Sequence, residues 1–373
     1  VGPSEGWLAS SPLAREHPLY PTGPSAGNPH HRCLLRETVT DSVMDTLGRS
    51  LKDLRISVTD RCNFRCRYCM PRERFGEDHT FLPRRAYLSF DEIQKVVDAC
   101  KPVGLEKVRI TGGEPLLRPN LEELVSSLKG SGVEVALTTN ASLLAGQAER
   151  LAEAGLDRVT VSLDALDPKT HAQMTDSSIP VETVLDGIDA AVSAGLSPVK
   201  VNCVIQKGVN EDQVVPLVER FRGTGVTVRF IEYMDVGRTN GWQLDQVVPS
   251  ADILDFLQKR FDLTPIDPIN PSDVARRWAH SDGSGEIGFI SSVSKPFCGD
   301  CVRARLSADG RLHTCLFSSG GHDLRAIINN DGNEQTLSDA IAAIWSRRDD
   351  RYSEIRSLET SVLPRVEMSY IGG

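Results

Sequence analysis

Six of the chain's nine cysteines fall in two tight groups. The run SVTDRCNFRCRYCMP places Cys62, Cys66 and Cys69 within eight residues, spaced C-x3-C-x2-C. In PFCGDCVRARLSADGRLHTCLF, Cys298, Cys301 and Cys315 follow a C-x2-C-x13-C pattern. Thiolates bind zinc or iron–sulfur clusters, and either normally takes four ligands. Three thiolates on a four-iron cluster leave one iron open. An open iron can bind a small molecule through amino and carboxylate groups, which turns an electron-transfer centre into a reaction centre. For the first triad the competing reading is a structural zinc completed by His79 or Cys100; the spacing favours the cluster, because C-x3-C-x2-C is an unusual zinc arrangement. For the second triad, spacing leaves a zinc ribbon completed by His313 or His322 equally open. Clustered cysteines in odd number fit metal ligation in a reducing, cytoplasmic setting and not a disulfide framework. Cys33, Cys100 and Cys203 stand apart and carry no expected role.

The elements that must position these residues alternate from about residue 50. Strands are expected at 53–58, 107–111, 134–140, 158–164, 198–205 and 227–234, each rich in Val, Ile or Thr and each followed by helical material. Ser89 and Glu92 form a capping-box pattern, and RLAEAG, AAVSAG and RFRGTG end helices in glycine. Six βα units imply a parallel sheet, too few for a closed eight-stranded barrel. The expected fold class is therefore α/β, a partial (βα)6 TIM-like barrel with a smaller C-terminal region; a doubly wound sheet would show the same alternation. In a barrel the inward residues are spaced two apart near the strand ends. That gives the pairs Arg55 with Ser57, Arg109 with Thr111, Thr138 with Asn140, Ser162 with Asp164, Lys200 with Asn202, and Glu232 with Met234. Arg55, Arg109 and Lys200 would put positive charge in that ring, which suits a multiply anionic ligand such as a polyphosphate.

Composition excludes other classes. The 373 residues carry a formal net charge of −9, against a general nucleic-acid binder, and no apolar run reaches the length of a membrane span. Residues 1–47 are rich in Pro, Gly, Ser and His, His30 and His31 among them, and are expected to be a disordered N-terminal extension. Met44, just ahead of the first strand, is an expected start of translation. The remaining chain divides into an expected barrel at 48–260 and a C-terminal region at 261–373.

CNFRCRYC, with an aromatic before its third cysteine, followed by TGGEP after the second strand, resembles the radical S-adenosylmethionine enzymes. The resemblance implies a [4Fe-4S] cluster on Cys62, Cys66 and Cys69 whose open iron chelates S-adenosyl-L-methionine. Gly112, Gly113, Glu114 and Pro115 would form the segment that meets the cofactor's amino group, the glycines permitting close approach of main chain. The second cysteine segment, GEIGFISSVSKPFCGDC before it and the ending SYIGG are similar to the GTP 3',8-cyclases of molybdenum-cofactor biosynthesis, from about residue 48 to Gly373. This implies a second [4Fe-4S] cluster on Cys298, Cys301 and Cys315, whose free iron meets the guanine of GTP. It places Arg55, Arg109, Thr138, Lys200, Arg303 and Arg305 at the substrate, and Tyr68, Gly112, Gly113, Glu114, Ser162 and Met234 around the cofactor. Arg303 and Arg305 alternate, so in an extended chain both point the same way. With the tail Gly372 and Gly373 they form the implied catalytic set.

The reaction so implied is reductive cleavage of S-adenosylmethionine to a 5'-deoxyadenosyl radical. The radical takes hydrogen from ribose C3', the carbon radical closes onto C8, and a further electron and a proton complete 3',8-cyclo-7,8-dihydro-GTP. The implied partners are GTP, a low-potential flavodoxin or ferredoxin and a second copy in a homodimer, with no nucleic acid and no membrane. Two alternatives stand beside it. One is a radical enzyme with an auxiliary cluster and a different substrate, such as a peptide. The other is a non-enzymatic cluster carrier, which explains the cysteines but neither GGEP nor the strand-end charges.

Overall fold

The computed structural model describes residues 43–270, 272–330, 332–356 and 364–372. Residues 1–42 of the expected extension, with His30, His31 and Cys33, and the terminal Gly373 lie outside the described residues.

All six expected strands form: β1 (Asp53–Ser57), β2 (Lys107–Thr111), β3 (Glu134–Thr139), β4 (Arg158–Ser162), β5 (Lys200–Ile205) and β6 (Thr227–Glu232). They pair in parallel and in sequence order. A doubly wound sheet reverses its order partway. This one does not, which leaves the partial barrel.

The C-terminal third adds β7 (Leu263–Ile266), β8 (Arg276–His280), β9 (Glu286–Ile290), β10 (Arg303–Leu306), β11 (Arg311–His313) and β12 (His322–Asp323). Among the described residues the sheet runs β12-β11-β10-β1-β2-β3-β4-β5-β6-β9-β8-β7. β9 joins β6 and β10 joins β1, both in parallel. The region after residue 260 thus extends both edges of the barrel's own sheet.

The strands are asymmetric by face. Leu54, Ile56, Val108, Ile110, Val135, Leu137, Val159, Val161, Val201 and Ile205 are fully buried on the outer face, in one core with helix residues such as Val97, Leu124, Leu151, Ile188 and Leu217. Each such side chain contributes roughly 1.5–3 kcal/mol when removed from water. The first of these helices, α1 (Phe90–Cys100), starts on the expected capping box: Glu92 N donates to Ser89 Oγ at 3.1 Å and Ser89 N to Glu92 Oε2 at 2.7 Å. Gly155 and Gly195 end their helices at φ +96 and +77, a region open to glycine without a Cβ penalty. The opposite face of the strands carries the charged residues. Among the described residues no helix is long and apolar enough to cross a membrane.

One boundary needs correction. Residues 43–47, expected within the disordered extension, are ordered: Val43 packs against the core and Met44 bridges Ser50. Asp45 is buried and accepts from Leu47 N (2.9 Å), Arg49 N (2.9 Å), Arg49 Nε (2.6 Å) and Arg348 Nη1 (3.1 Å). The two arginines in turn donate to the carbonyls of Cys298 (2.6 Å) and Cys301 (2.7 Å). Removing this carboxylate strands two buried guanidinium groups. Asp45→Ala is expected to destabilise the fold by about 3–5 kcal/mol, read as a fall in the urea midpoint, while an exposed control such as Asp91→Ala stays within about 0.5 kcal/mol.

Candidate active site

The pairing of β1 with β10 sets the layout. Asp53 lies beside Arg303 and Arg55 beside Arg305. Cys301 precedes β10, and the amides of Lys52 and Asp53 donate to Val302 O at 3.0 and 3.2 Å, so Cys301 sits at the N-terminal end of the strands. Cys315 follows β11, which runs antiparallel to β10 and returns the chain to that end. Cys62, Cys66 and Cys69 follow β1 at the opposite end, the C-terminal mouth. The two triads are separated by the length of a five-residue strand, about 17 Å at roughly 3.3 Å per residue.

At the mouth, the cysteine loop is gripped from β2. Gly113 N donates to Thr59 O and Glu114 N to Arg61 O, both at 2.8 Å. A Cβ at Gly112, whose φ is +152, would meet Thr59 O at 2.5 Å, and one at Gly113 would meet the Arg61 carbonyl carbon at 2.5 Å. The glycines therefore let β2's end lie directly against the cysteine loop, a reason different from the expected approach to a ligand. Glu114 is buried, its carboxyl pushed up to about 7 by burial against three donors: Leu116 N (3.0 Å), Thr139 Oγ1 (2.7 Å) and Asn140 N (2.7 Å). The Asn140 so held points its amide at Cys62 Sγ, 3.8 Å away. Tyr68 donates to Asp164 Oδ2 at 2.7 Å; burial raises that carboxyl to about 6, and Val204 N holds its other oxygen at 2.8 Å. Burial, with Glu114 nearby, also pushes the Cys62 thiol up to about 12; burial raises Cys66 and Cys69, with Cys62 adding to both. The alternative fourth ligands are engaged elsewhere: Cys100 is inside the core, and the His79 ring packs between Phe75 and Phe81 at 4.7 and 4.6 Å.

The second triad is set in arginine. Burial would raise the Cys301 thiol, but Arg303 and Arg348 outweigh it and bring it down to about 6, and Arg348 Nη2 donates to the sulfur at 3.2 Å. Phe317 N donates to Cys315 Sγ at 3.5 Å. Of the alternative zinc ligands, His322 is exposed on an edge strand, whereas His313 is buried, held neutral near a pKa of about 4 by burial, and bonded through Nδ1 to Ser318 Oγ at 3.0 Å. Among the described residues no three His, Cys, Asp or Glu side chains are grouped as a site for a single metal ion. Each triad is thiolate with N–H donors to sulfur, from Phe64 and Asn140 to Cys62 and from Arg348 and Phe317 to Cys301 and Cys315, a donor chemistry that fits an iron–sulfur cluster.

Between the triads, the inner face concentrates cations. Arg55, Arg109, Lys200, Arg303 and Arg305 all face it, as expected, and so does Arg229, which sequence reasoning missed. The expected inward pair on β6 is corrected at Glu232, which is in register with the outward Ile205; Met234 lies beyond the end of the strand. The Glu232 carboxylate accepts from the amides of Ser250, Val293 and Ser294, each at 2.8 Å, and the Met234 carbonyl accepts from Asn240 Nδ2 at 2.9 Å. Arg109 and Arg229 both reach Thr160 Oγ1, at 3.2 and 3.4 Å, from strands separated by four steps. A flat sheet would hold those strands about 19 Å apart, so this convergence measures its curl. Arg109 also reaches Thr138 Oγ1 at 3.3 Å.

Among the described residues these cations form no ion pair within 4 Å, and the Asp53 carboxylate lying among them is outnumbered. Burial and the neighbouring Arg305 and Arg303 hold Arg55 well below its ordinary value; burial and other cations bring Arg229 to about 9 and Lys200 to about 8. Arg55 Nε, Arg229 Nε, Asp53 Oδ1 and Asn202 Oδ1 are buried without a partner. Asn202 is in register with Ser162, so polar groups are open on both β4 and β5. The tail reaches the same face: Gly372, at φ +75, lies so close to Thr111 that a Cβ would overlap its methyl group, and its carbonyl accepts from Arg305 Nε at 3.3 Å. Gly373 lies outside the described residues. A Cβ at Gly113 has only backbone to displace, so Gly113→Ala is expected to shift the cysteine loop and lose the iron of the first triad while keeping that of the second. Iron analysis with electron paramagnetic resonance of the reconstituted protein reads this directly.

The chain's likenesses agree with this geometry. Residues 56–221 match the Radical SAM superfamily and residues 226–354 match Molybdenum Cofactor Synthesis C. The chain is 49% identical over 362 residues to the GTP 3',8-cyclase of Acidothermus cellulolyticus, across 90% of this chain and 100% of that one. It is 52% identical over 333 residues to that of Xanthomonas campestris (89% and 97%) and 45% identical over 337 residues to that of Staphylococcus epidermidis (89% and 99%). Among solved structures, Streptococcus suis SuiB bound to S-adenosylmethionine shares the fold at a TM-score of 0.56 and 16% identity, over 83% of this chain and 68% of that one. With relatives about half identical along nearly their whole length and a match to the Radical SAM superfamily across the first cysteine triad, this chain belongs to the GTP 3',8-cyclase family of radical S-adenosylmethionine enzymes.

Proposed function

We propose that the chain converts GTP to (8S)-3',8-cyclo-7,8-dihydroguanosine 5'-triphosphate, the opening step of molybdenum-cofactor biosynthesis, using residues on the inner face of the sheet. The observation that carries this reading is the surplus of buried cations, with Asp53 the carboxylate among them, on the face between two cysteine triads. When bound, a [4Fe-4S] cluster on Cys62, Cys66 and Cys69 with S-adenosylmethionine supplies the electron and the hydrogen-abstracting radical. The protein's own part is placement. Arg55, Arg109 and Lys200 bind the triphosphate, with Thr138 orienting Arg109. Arg303 and Arg305 hold the nucleotide towards the second triad, Cys298, Cys301 and Cys315, which would carry a second cluster with an iron free for guanine. Tyr68, Gly112, Gly113, Ser162 and Met234 surround the cofactor. Glu114 acts at one remove, by fixing Asn140 against Cys62. Gly372 steadies Arg305 through its carbonyl. Holding the reacting atoms in register and away from water is the source of rate that the chain can provide. A peptide substrate would leave this surplus of cations without a use.

The decisive assay adds S-adenosylmethionine, GTP and dithionite to anaerobically reconstituted protein. Both 5'-deoxyadenosine and a cyclised GTP isomer are expected by mass spectrometry, with Cys315→Ala abolishing the isomer. 5'-Deoxyadenosine without the isomer would remove GTP as the substrate. Lys200 adds a pH signature. Its ammonium pKa of about 8 is depressed by burial and neighbouring cations, and a bound triphosphate favours the charged form. GTP affinity is therefore full below that pH and weakens above it, with close to one proton taken up per GTP near pH 9. Calorimetry in buffers of different ionisation enthalpy measures the uptake. Lys200→Met should abolish it and weaken binding at neutral pH by roughly 10- to 100-fold, the worth of about one charge-assisted hydrogen bond.

A further inference from the structure

The cysteine loop carries a concentrated positive surface on its outer side. Between Arg61 and Arg85 the chain holds seven arginines against three carboxylates, in a protein of net charge −9. Arg72 pairs with Asp176 at 2.8 Å, but Arg67, Arg74, Arg84 and Arg85 are exposed and make no ion pair with a described residue. This surface is strapped to the loop itself. Arg65 donates to Phe75 O at 2.7 Å while holding Cys62 O at 2.8 Å, and Arg61 and Arg65 both lie over the Phe81 ring, at 5.3 and 5.6 Å. The Asp60 carboxylate takes Leu82 N at 2.7 Å and the Tyr87 hydroxyl at 2.6 Å. Cys62, Cys66 and Cys69 are themselves only partly buried. Alongside runs a groove of about 540 Å³, cationic at Arg61 and Arg84 and apolar at Phe90 and Leu117, the latter 38% exposed.

We propose that this face, with Arg74, Arg84 and Arg85 exposed on it and Arg84 lining the groove with Leu117, docks the acidic protein that delivers the electron to the first cluster. The proposal rests on the cluster assignment made under Proposed function. Each cleavage of S-adenosylmethionine consumes one electron, which must enter from outside: the carrier's flavin is oxidised by one electron as the cluster is reduced by one. A carrier rich in carboxylates would be repelled by the molecule as a whole and drawn to this patch, and opposite charge on two faces raises encounter rates by roughly 10- to 1,000-fold at low salt. The exposed Leu117, with Phe90 beside it in the groove's lining, supplies apolar contact of the kind found in interfaces. A nucleotide is the weaker occupant, since the inner face already offers it buried cations.

The test uses reconstituted holoenzyme with saturating S-adenosylmethionine and GTP, driven either by dithionite or by reduced flavodoxin. In the triple variant Arg74→Glu, Arg84→Glu, Arg85→Glu, iron content and the dithionite-driven rate of 5'-deoxyadenosine formation should match the parent. The apparent kcat/KM for flavodoxin should fall at least about 10-fold, and its decline with added salt should flatten. Unchanged flavodoxin kinetics would overturn the proposal. So would an equal loss under both reductants, which marks a structural role, or a raised KM for GTP under dithionite, which marks a nucleotide subsite. Parent protein that makes no 5'-deoxyadenosine with dithionite would instead defeat the cyclase reading, and this proposal with it.

Discussion

The parallel pairing of β1 with β10 is the constraint on which the site depends. It joins the strand that leads into one cysteine triad to the strand that leads out of the other, and its register puts Arg55 beside Arg305 and Asp53 beside Arg303. A shift of one residue would turn Arg303 and Arg305 to the outer face, among Leu54 and Ile56, because side chains alternate along a strand. A ligand lying along this pair can touch both ends of the strands at once. The two cysteine triads are thus divided between the C-terminal mouth, where barrel enzymes usually gather their chemistry, and the opposite end of the strands.

The two faces of the sheet have opposite energetics. The outer face is continuous hydrocarbon under helices and supplies the burial that holds the strands together. The inner face works against that stability: desolvated guanidinium and ammonium groups lie near one another, and burial lowers the pKa values of Arg55, Arg109, Lys200 and Arg229. Buried charge without a partner is costly, and a polyanion removes that cost as it binds. The same feature therefore weakens the free protein and selects its ligand.

Two buried carboxylates hold the distant parts in place. Asp45 fixes Arg49 and Arg348, which grip the backbone of the second triad, and the Trp345 indole donates to Arg49 O at 2.8 Å. Asp235 gathers Tyr352 (2.7 Å), Arg356 (2.9 Å) and Arg365 (3.0 Å), residues on the approach to the C-terminal tail. Each carboxylate ties segments far apart in sequence to one point. Arginine suits the task because its fork of donors can serve a carboxylate and a carbonyl together.

What the sequence determined by itself was whatever a short window encodes. The cysteine spacings, the β-branched strand runs and the Ser89–Glu92 cap are local patterns, and all reappear in the structure. Arg303 and Arg305 shared a face because both lie in one strand, for which alternation is sufficient. Strand phase was less accessible. Arg229 and Glu232 are three residues apart on β6, so only one can face inward, and the choice is made by register with β5. The tertiary structure alone decided the β1–β10 pairing, the use of Gly112 and Gly113 to seat the cysteine loop, and the value of Asp45, whose partner Arg348 is 303 residues away. No local pattern marks such residues, because their energy comes from burial and from partners that only the folded chain brings together.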